Sequence, residues 1–261
     1  MTTFEAGTFT PAPGRGSLRR MLLAQARTEV ALTLRHGEQL LLTLLIPLTL
    51  LVGLSLLDIL PASQLGGAST VDWITPRLLA LAVMSSAFTG QAIALGFDRR
   101  YGVLKRLAAT ALPRWLLLAG RLTAALTVVA VQVVVLGVVA ALLGWSPEPG
   151  GVAAAVLLLV CGTLAFGALG VLLGGSLKAE AVLAVANVVW FVLLLAGGIL
   201  LAPATLPGVF GDVVALLPSG ALAEGLRAAL LDGSFAAGPL LTLLVWAAAI
   251  GALATRTTRL S

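Results

Sequence analysis

Charged side chains are scarce in this sequence of 261 residues. Asp, Glu, Lys and Arg make up 10% of the chain, whereas hydrophobic residues make up 59%. Soluble domains carry about 25% charged residues, and a soluble fold of this length lacks the interior volume to bury so much apolar surface. This composition excludes an ordinary soluble protein and predicts that lipid surrounds much of the chain.

Cysteine and histidine are nearly absent, with Cys161 and His36 as the single examples. One cysteine cannot form an internal disulfide, and one residue of each kind cannot build a zinc site from Cys and His ligands. We therefore expect no metal site, and we interpret Cys161 as a small packing residue within an apolar run.

Lysine occurs only as Lys105 and Lys178, and neither follows a glycine. The sequence thus lacks the Gly-x-x-x-x-Gly-Lys-Ser/Thr loop that binds ATP phosphates. It also lacks the Gly-x-Ser-x-Gly motif that presents a nucleophilic serine. We expect no catalytic residue, no cofactor bound by this chain and no enzymatic activity of its own.

Long apolar runs are what the chain does have, and six of them could cross about 30 Å of hydrocarbon, which takes roughly 20 helical residues. Barrel strands would alternate in polarity, whereas these runs are unbroken Leu, Val and Ala. We therefore predict an all-α integral membrane protein of about six transmembrane helices. The predicted spans are Leu40–Leu60, Ile74–Phe97, Trp115–Leu143, Val152–Leu177, Ala181–Leu201 and Pro239–Ala254.

The basic residues lie between these runs and predict orientation, because cytoplasmic loops are enriched in Lys and Arg. With six spans, the loop cations fall on one side of the membrane, and only Arg77 and Arg227 fall on the other. We therefore expect both termini to be cytoplasmic, and we interpret the net charge of +5 as a topological signal and not as a nucleic-acid-binding surface. The cytoplasmic cations are Arg15, Arg19, Arg20, Arg27, Arg35, Arg99, Arg100, Lys105, Arg106, Arg114, Lys178, Arg256 and Arg259.

The segment before the first span is predicted to be a helix lying on the cytoplasmic membrane surface. Ser17 would cap it, and Leu23, Ala26, Val30 and Leu34 recur at helical spacing on one face. The alternative is a plain basic flank that only sets topology. The predicted parts of the chain are a disordered tail at 1–16, the interfacial helix at 17–38 and a single six-helix transmembrane domain at 39–261.

The stretch 98–113 between spans two and three is longer than a turn needs. Leu104, Leu107 and Ala108 would share one face of a short helix, with basic residues around them, and Pro113 would end it. One interpretation is a surface helix that docks on a cytoplasmic partner. The other is a basic loop that only sets topology.

The connection 202–238 before the last span also carries a helical pattern. Leu222 and Leu226 would lie on one side, and Glu224 and Arg227 are spaced to form an ion pair. Exposing these leucines to water would be costly. We therefore predict an external re-entrant or half-inserted helix.

Polar side chains within the spans are few. We interpret Gln91, Gln132 and Asn187 as hydrogen-bonding groups between helices, in preference to groups lining a substrate path. Gly170-x-x-x-Gly174 and the pair Gly197–Gly198 would permit close helix contact.

Three stretches have a recognisable pattern: Arg19–Pro47, Phe88–Arg121 and Leu217–Arg227. The second is the most specific and contains Asp-Arg-Arg-Tyr-Gly-Val-Leu-Lys-Arg-Leu-Ala-Ala-Thr, while the third contains Pro-Ser-Gly-Ala-Leu-Ala-Glu-Gly-Leu-Arg. Together they resemble the permease subunit of type-2 ATP-binding-cassette exporters, in the branch that exports drugs and lipids. The chain departs from that pattern at Ala111, where proline is common, and at Arg121, where lysine is common.

The resemblance implies that the surface helix and the loop after span two contact a separate ATPase, which holds the ATP and Mg. It also implies that the permease pairs with a second copy or with a related permease. Coupling to the ATPase is assigned by the resemblance to Arg20, Arg27, Arg99, Arg100, Tyr101, Lys105 and Arg106. The outer segment with Pro218, Glu224 and Arg227 resembles the external gate of the family.

The function expected from these features is ATP-driven export of an amphiphilic drug or lipid across a plasma membrane, since the spans offer apolar and aromatic side chains and almost no charge. The excess of Arg and Ala over Lys indicates a bacterial genome rich in GC. A secondary transporter or channel would need coupling-ion carboxylates or a polar pore lining, and a membrane enzyme would need a nucleophile or metal cluster. A lipid scramblase is a further alternative.

Overall fold

The computed structural model describes residues 17–35, 37–57, 65–109, 113–200, 203 and 206–257. The regular structure of these residues is helical. The helices are α1 (Leu18–Arg35), α2 (Gly37–Leu57), α3 (Thr70–Val83), α4 (Gln91–Arg100), α5 (Val103–Ala108), α6 (Arg114–Leu142), α7 (Val152–Ser176), α8 (Ala179–Ala196), α9 (Val209–Leu216), α10 (Pro218–Asp232) and α11 (Ala237–Thr257).

Five helical stretches are long and apolar enough to cross a membrane, and they correspond to predicted spans two to six. The bent pair Val209–Leu216 and Pro218–Asp232 makes six if it is counted as one span, whereas α2, at the first predicted span, contains the shorter apolar stretch Thr43–Leu57. The prediction of an all-α membrane protein with about six spanning helices is therefore confirmed. The five stretches are Thr70–Arg100, Trp115–Leu142, Pro149–Ser176, Ala179–Ala196 and Ala237–Arg256.

The span ends differ from the predicted ones where local chemistry starts or stops a helix. The second span begins at Thr70, because Ser69 accepts a hydrogen bond from the backbone N–H of Asp72 at 3.1 Å and so caps the helix. The fifth ends at Ala196, before Gly198, whose φ of 86° suits glycine and few other residues.

The second span is not uniformly α-helical. A π-helical segment, Met84–Gly90, joins α3 to α4, and π turns widen a helix and are frequent at functional sites. Within it, the hydroxyls of Ser85 and Ser86 donate to carbonyl groups of the preceding turn, at 2.8 Å each.

Helix α7 packs closely against this segment and the start of α4 through its two spaced glycines. A Cβ atom at Gly170 would lie 2.7 Å from the carbonyl oxygen of Phe88, and one at Gly174 would lie 2.5 Å from that of Ala92. These distances are too short for any side chain, so the close contact expected from Gly170-x-x-x-Gly174 is present.

Helices α9 and α10 form a pair bent by 85° before the last span, as the predicted re-entrant segment requires. Leu222 and Leu226 are fully buried, because α10 packs among α3, α7 and α11. At its start, the Ser219 hydroxyl donates to the carbonyl of Gly197 at 2.6 Å. Helix α10 is therefore part of the bundle interior and is not a surface appendage.

Helix α1 packs along the first half of α6. Gly120 permits this contact, since a Cβ atom there would lie 2.7 Å from Cγ of Gln25. Of the predicted apolar face, Ala26 and Val30 are half-buried, whereas the side chains of Leu23 and Leu34 are exposed. The side of α1 that meets the bundle is thus mixed in polarity, because it also carries Gln25 and Glu29.

The periphery of the bundle is apolar. Helices α8 and α11 leave large hydrophobic side chains exposed, among them Val188, Phe191, Val192, Leu241 and Val245. Such a surface is unfavourable in water and suits contact with lipid tails.

Candidate functional site

A short helix with a basic outer side lies at one end of the bundle. Gly102 has a φ of 70°, so the chain leaves α4 in a left-handed turn that favours glycine and enters α5. Leu104 anchors α5, since it is buried against Leu95, Val171 and Ala254. Lys105 and Arg106 remain exposed.

Arg99 and Arg100, at the end of α4, have separate structural roles. A terminal nitrogen of Arg99 donates to the carbonyl groups of Gly174 and Leu177, at 3.0 and 3.1 Å. It thereby satisfies free carbonyls at the C-terminus of α7 and is fixed to the bundle. Arg100 forms an ion pair with Glu180 of α8, in which both side chains are largely exposed.

These elements border a groove of about 390 Å³, which we call the basic groove. Its charged lining consists of Arg99, Arg100, Lys105, Lys178 and Glu180, a net charge of +3. Among the described residues, no ion pair involves Lys105 or Lys178. The groove therefore offers two cations for an acidic partner.

The predicted coupling residues are only partly brought together. The structure groups Arg99, Arg100 and Lys105 around the basic groove, and Tyr101, 65% exposed, lies beside them in the turn. Arg106 is exposed on α5, whereas Arg20 and Arg27 are exposed on α1 and do not line the groove. Coupling by these residues stays a prediction.

The opposite end of the bundle carries a network of charges, which we call the Arg77 cluster. Arg77 of α3 is 2% exposed, donates to Oε1 of Glu224 at 3.0 Å and lies 3.9 Å above the ring of Trp73. The other Glu224 oxygen accepts from Nε of Arg227 at 2.9 Å, and Arg227 also pairs with Asp232 at 3.0 Å. One carboxylate thus bridges two arginines and connects α3 to α10.

Of the predicted gate residues, Glu224 and Arg227 therefore belong to this cluster. Pro218 does not, because it is the first residue of α10, about 9 Å of helix away from Glu224. Proline suits that position, where a backbone N–H would have no helical partner. Their role as a gate stays a prediction.

A family model described as ABC-2 type transporter matches residues 16–231. The chain belongs to this family. The match begins before α1, contains both the basic groove and the Arg77 cluster except for Asp232, and ends before α11. A comparison with curated proteins found no match for this chain.

Membership in the ABC-2 family identifies the chain as the membrane-spanning permease component of an ABC transporter, and not as its ATPase. In the permease, Gln132 of α6 donates to the Thr43 hydroxyl of α2 at 3.2 Å, so it joins these two helices. Asn187 is exposed and bonds the Leu183 carbonyl of its own helix. Gln91 lines a cavity, and its role in helix packing or in a substrate path stays a prediction.

Sequence patterns missed several functional candidates of the permease. Arg77 lies near the start of a predicted span, where an ionisable residue is a functional signal, but its pairing with Glu224 has no sequence signature. Lys178 and Glu180 approach α5 only after α7 and α8 fold together. A buried hydrogen bond from Trp190 to Ser85, 2.9 Å long, joins α8 to the π-helical segment and has no sequence signature.

Proposed function

We propose that this ABC-2 permease carries an amphiphilic drug-like or lipid-like substrate out of a bacterium, driven by a separate ATP-binding-cassette ATPase. The basic groove carries this proposal. A short helix, α5, is fixed to the bundle there through Leu104. Beside it lie the exposed cations Lys105 and Lys178, which form no ion pair with any described residue. An acidic surface on a cytoplasmic ATPase is complementary to it.

In this proposal, ATP and Mg bind to the ATPase, and closure of two ATPase subunits pushes on α5. Arg99 transmits the movement, because it joins the end of α4 to the end of α7 by two hydrogen bonds. The bundle then changes from inward-facing to outward-facing as packed helices shift together. The Arg77 cluster holds α10 to α3 at the outer end until that change.

Two copies of the permease are proposed to form the transport path, with lipid around them. Asn187 supports this pairing, since its amide lies on an apolar, exposed face of α8 beside Val188 and Phe191. A polar group in hydrocarbon is costly, and a second copy would cover it. Cross-linking of an Asn187→Cys, Cys161→Ala variant in membranes tests this contact.

The experiment for the function is co-expression with candidate ABC ATPases from the genome that encodes the permease. We expect the two to purify together in detergent, and ATP hydrolysis to rise several-fold over that of the ATPase alone once the complex is in lipid nanodiscs. Absence of a complex, or a hydrolysis rate unaffected by the permease, would contradict the proposal and favour an ATP-independent transporter, channel or scramblase.

A further inference from the structure

A second cavity, of about 590 Å³, lies on the inner side of α1. Its walls come from α1, α2, the π-helical segment with α4, and α6. Pockets for drug-sized molecules have volumes of roughly 300–1,000 Å³, so the cavity is large enough for one. Apart from Tyr101, its lining is distinct from the residues predicted to couple to an ATPase.

The charges in this cavity do not balance. Arg121 of α6 forms an ion pair with Asp98 of α4, and that pair is neutral as a whole. Glu29 of α1 forms no ion pair with any described residue, and its carboxylate accepts one hydrogen bond from Gln25 at 2.9 Å. With Glu29 ionised, the described residues of the wall therefore carry one negative charge in excess.

The surroundings of Glu29 offset the cost of burying its charged form only in part. Burial raises the pKa of Glu29, the Arg121 guanidinium opposes this shift, and the Asp98 carboxylate reinforces it. A carboxylate removed from water is stabilised by a nearby positive charge. Arg121 supplies part of that charge but is shared with Asp98, so a cationic ligand would stabilise the carboxylate further.

The remainder of the wall suits an amphiphile. Phe97 and Tyr101 form a stacked pair with ring centroids 6.1 Å apart, and aromatic faces attract cations. Gln91 makes no side-chain hydrogen bond with another described residue and lines the cavity. The apolar lining consists of Leu32, Ala94, Ala124, Ala125 and Val128.

We infer that this cavity binds an amphiphilic organic cation, with a protonated amine or quaternary headgroup beside Glu29 and an apolar body against α6. The inference rests on the proposed function and narrows its substrate class: the permease takes positively charged amphiphiles from the inner side of the membrane. Anions of the same shape are disfavoured by the excess negative charge.

The test is binding of tetraphenylphosphonium to the purified full-length chain in phosphatidylcholine nanodiscs, measured by calorimetry with empty nanodiscs subtracted. Tetraphenylborate is the matched anion of nearly the same shape. We expect saturable binding of the cation, and a loss of affinity of about tenfold or more in Glu29→Gln, since an opposite charge at close range in a partly buried site has a large effect. Ala94→Phe, which fills the cavity without altering its charge, should also weaken binding.

Glu148→Gln is the control, because it makes the same chemical change at an exposed position at the opposite end of the bundle and should leave the affinity unaltered. Absence of saturable cation binding, equal affinity in Glu29→Gln, or equal Glu29-dependent binding of tetraphenylborate would overturn the inference. The measurement needs neither ATP nor ATPase. Cation binding without ATPase coupling would therefore overturn only the proposed function, and coupling without cation binding only this inference.

Discussion

At the scale of single residues, the buried guanidinium of Arg77 depends on one carboxylate, that of Glu224. Removing one partner of a buried ion pair leaves an uncompensated charge, which costs about 3–5 kcal/mol, whereas replacing both partners by apolar residues is often neutral. We expect Glu224→Leu to lower the free energy of unfolding by about 3 kcal/mol. The measurement is denaturant-induced unfolding in detergent.

Two further variants separate charge burial from packing in that experiment. The double variant Arg77→Leu, Glu224→Leu should regain much of the lost stability. Asp232→Asn breaks a more exposed pair with Arg227 and should cost less than about 1 kcal/mol. If the double variant loses as much free energy of unfolding as Arg77→Leu and Glu224→Leu lose together, the two residues do not act as a pair.

Glu29 gives a second prediction at this scale, on pH dependence. Its folded-state pKa is raised above the ordinary value of 4.5, chiefly by burial. Between the pKa of the unfolded chain and that of the folded chain, the folded chain therefore binds more protons. Stability from this group is therefore lost as the pH rises through that window. We expect Glu29→Gln to be more stable than the parent chain at about pH 8.

Thermal unfolding in detergent over a series of pH values measures this difference. The gap between the variant and the parent chain should close below about pH 4, where both side chains are neutral. A variant that is less stable than the parent chain at high pH would contradict the assignment of a poorly compensated carboxylate.

At the scale of helices, the close contact between α7 and the second span restricts the substitutions that are tolerated at Gly174. A Cβ atom there would lie 2.5 Å from a backbone oxygen of α4, which cannot move aside as a flexible side chain would. We expect Gly174→Ala to lower the free energy of unfolding by about 1–3 kcal/mol. Gly251→Ala on α11 is the matched control, since nothing lies within 4 Å of its Cβ position, and it should be neutral or stabilise by up to about 1 kcal/mol. Equal effects of the two changes would contradict the close contact.

Helix α5 carries the prediction for coupling. Lys105→Glu with Arg106→Glu reverses two exposed cations without touching Leu104, which anchors the helix. Arg99 is best left intact, because its hydrogen bonds to α7 make its loss a structural change. We expect this double variant to lose most of the stimulated ATP hydrolysis while retaining its melting temperature.

Arg256→Glu is the control for that experiment, since Arg256 is exposed at the end of α11 and lies outside the basic groove. Stimulation should persist in this variant. If the Lys105, Arg106 variant still stimulates hydrolysis fully, α5 is not the coupling helix.

At the scale of the whole molecule, the spans and their helical class follow from the sequence, because unbroken apolar runs in lipid leave few alternatives to helix. The glycine contacts of α7 and the buried face of α10 were also predictable from spacing alone. What spacing does not give is which helices become neighbours. The pairing of Arg77 with Glu224 joins residues 147 positions apart.

The cavity beside α1 is a second feature that the spacing of residues in the sequence does not predict. Glu29, Asp98 and Arg121 lie on three helices, and their charges are unremarkable along the chain, where Glu29 stands in a basic helix and Asp98 begins a basic loop. Only the close packing of α1 on α6 through Gly120 brings them to one wall. Polar groups of this kind become visible as a site once tertiary packing is known.

The proposed coupling to a cytoplasmic ATPase requires the basic groove to face the cytoplasm, and labelling of single cysteines tests this orientation directly. In a Cys161→Ala background, Ser176→Cys lies next to the basic groove and Ser146→Cys lies near the Arg77 end, and both serines are exposed. A membrane-impermeant maleimide should label Ser146→Cys in intact cells and should label Ser176→Cys only after permeabilisation. Labelling of Ser176→Cys from outside intact cells, with Ser146→Cys protected, would place the basic groove beyond the reach of any cytoplasmic ATPase and contradict the account.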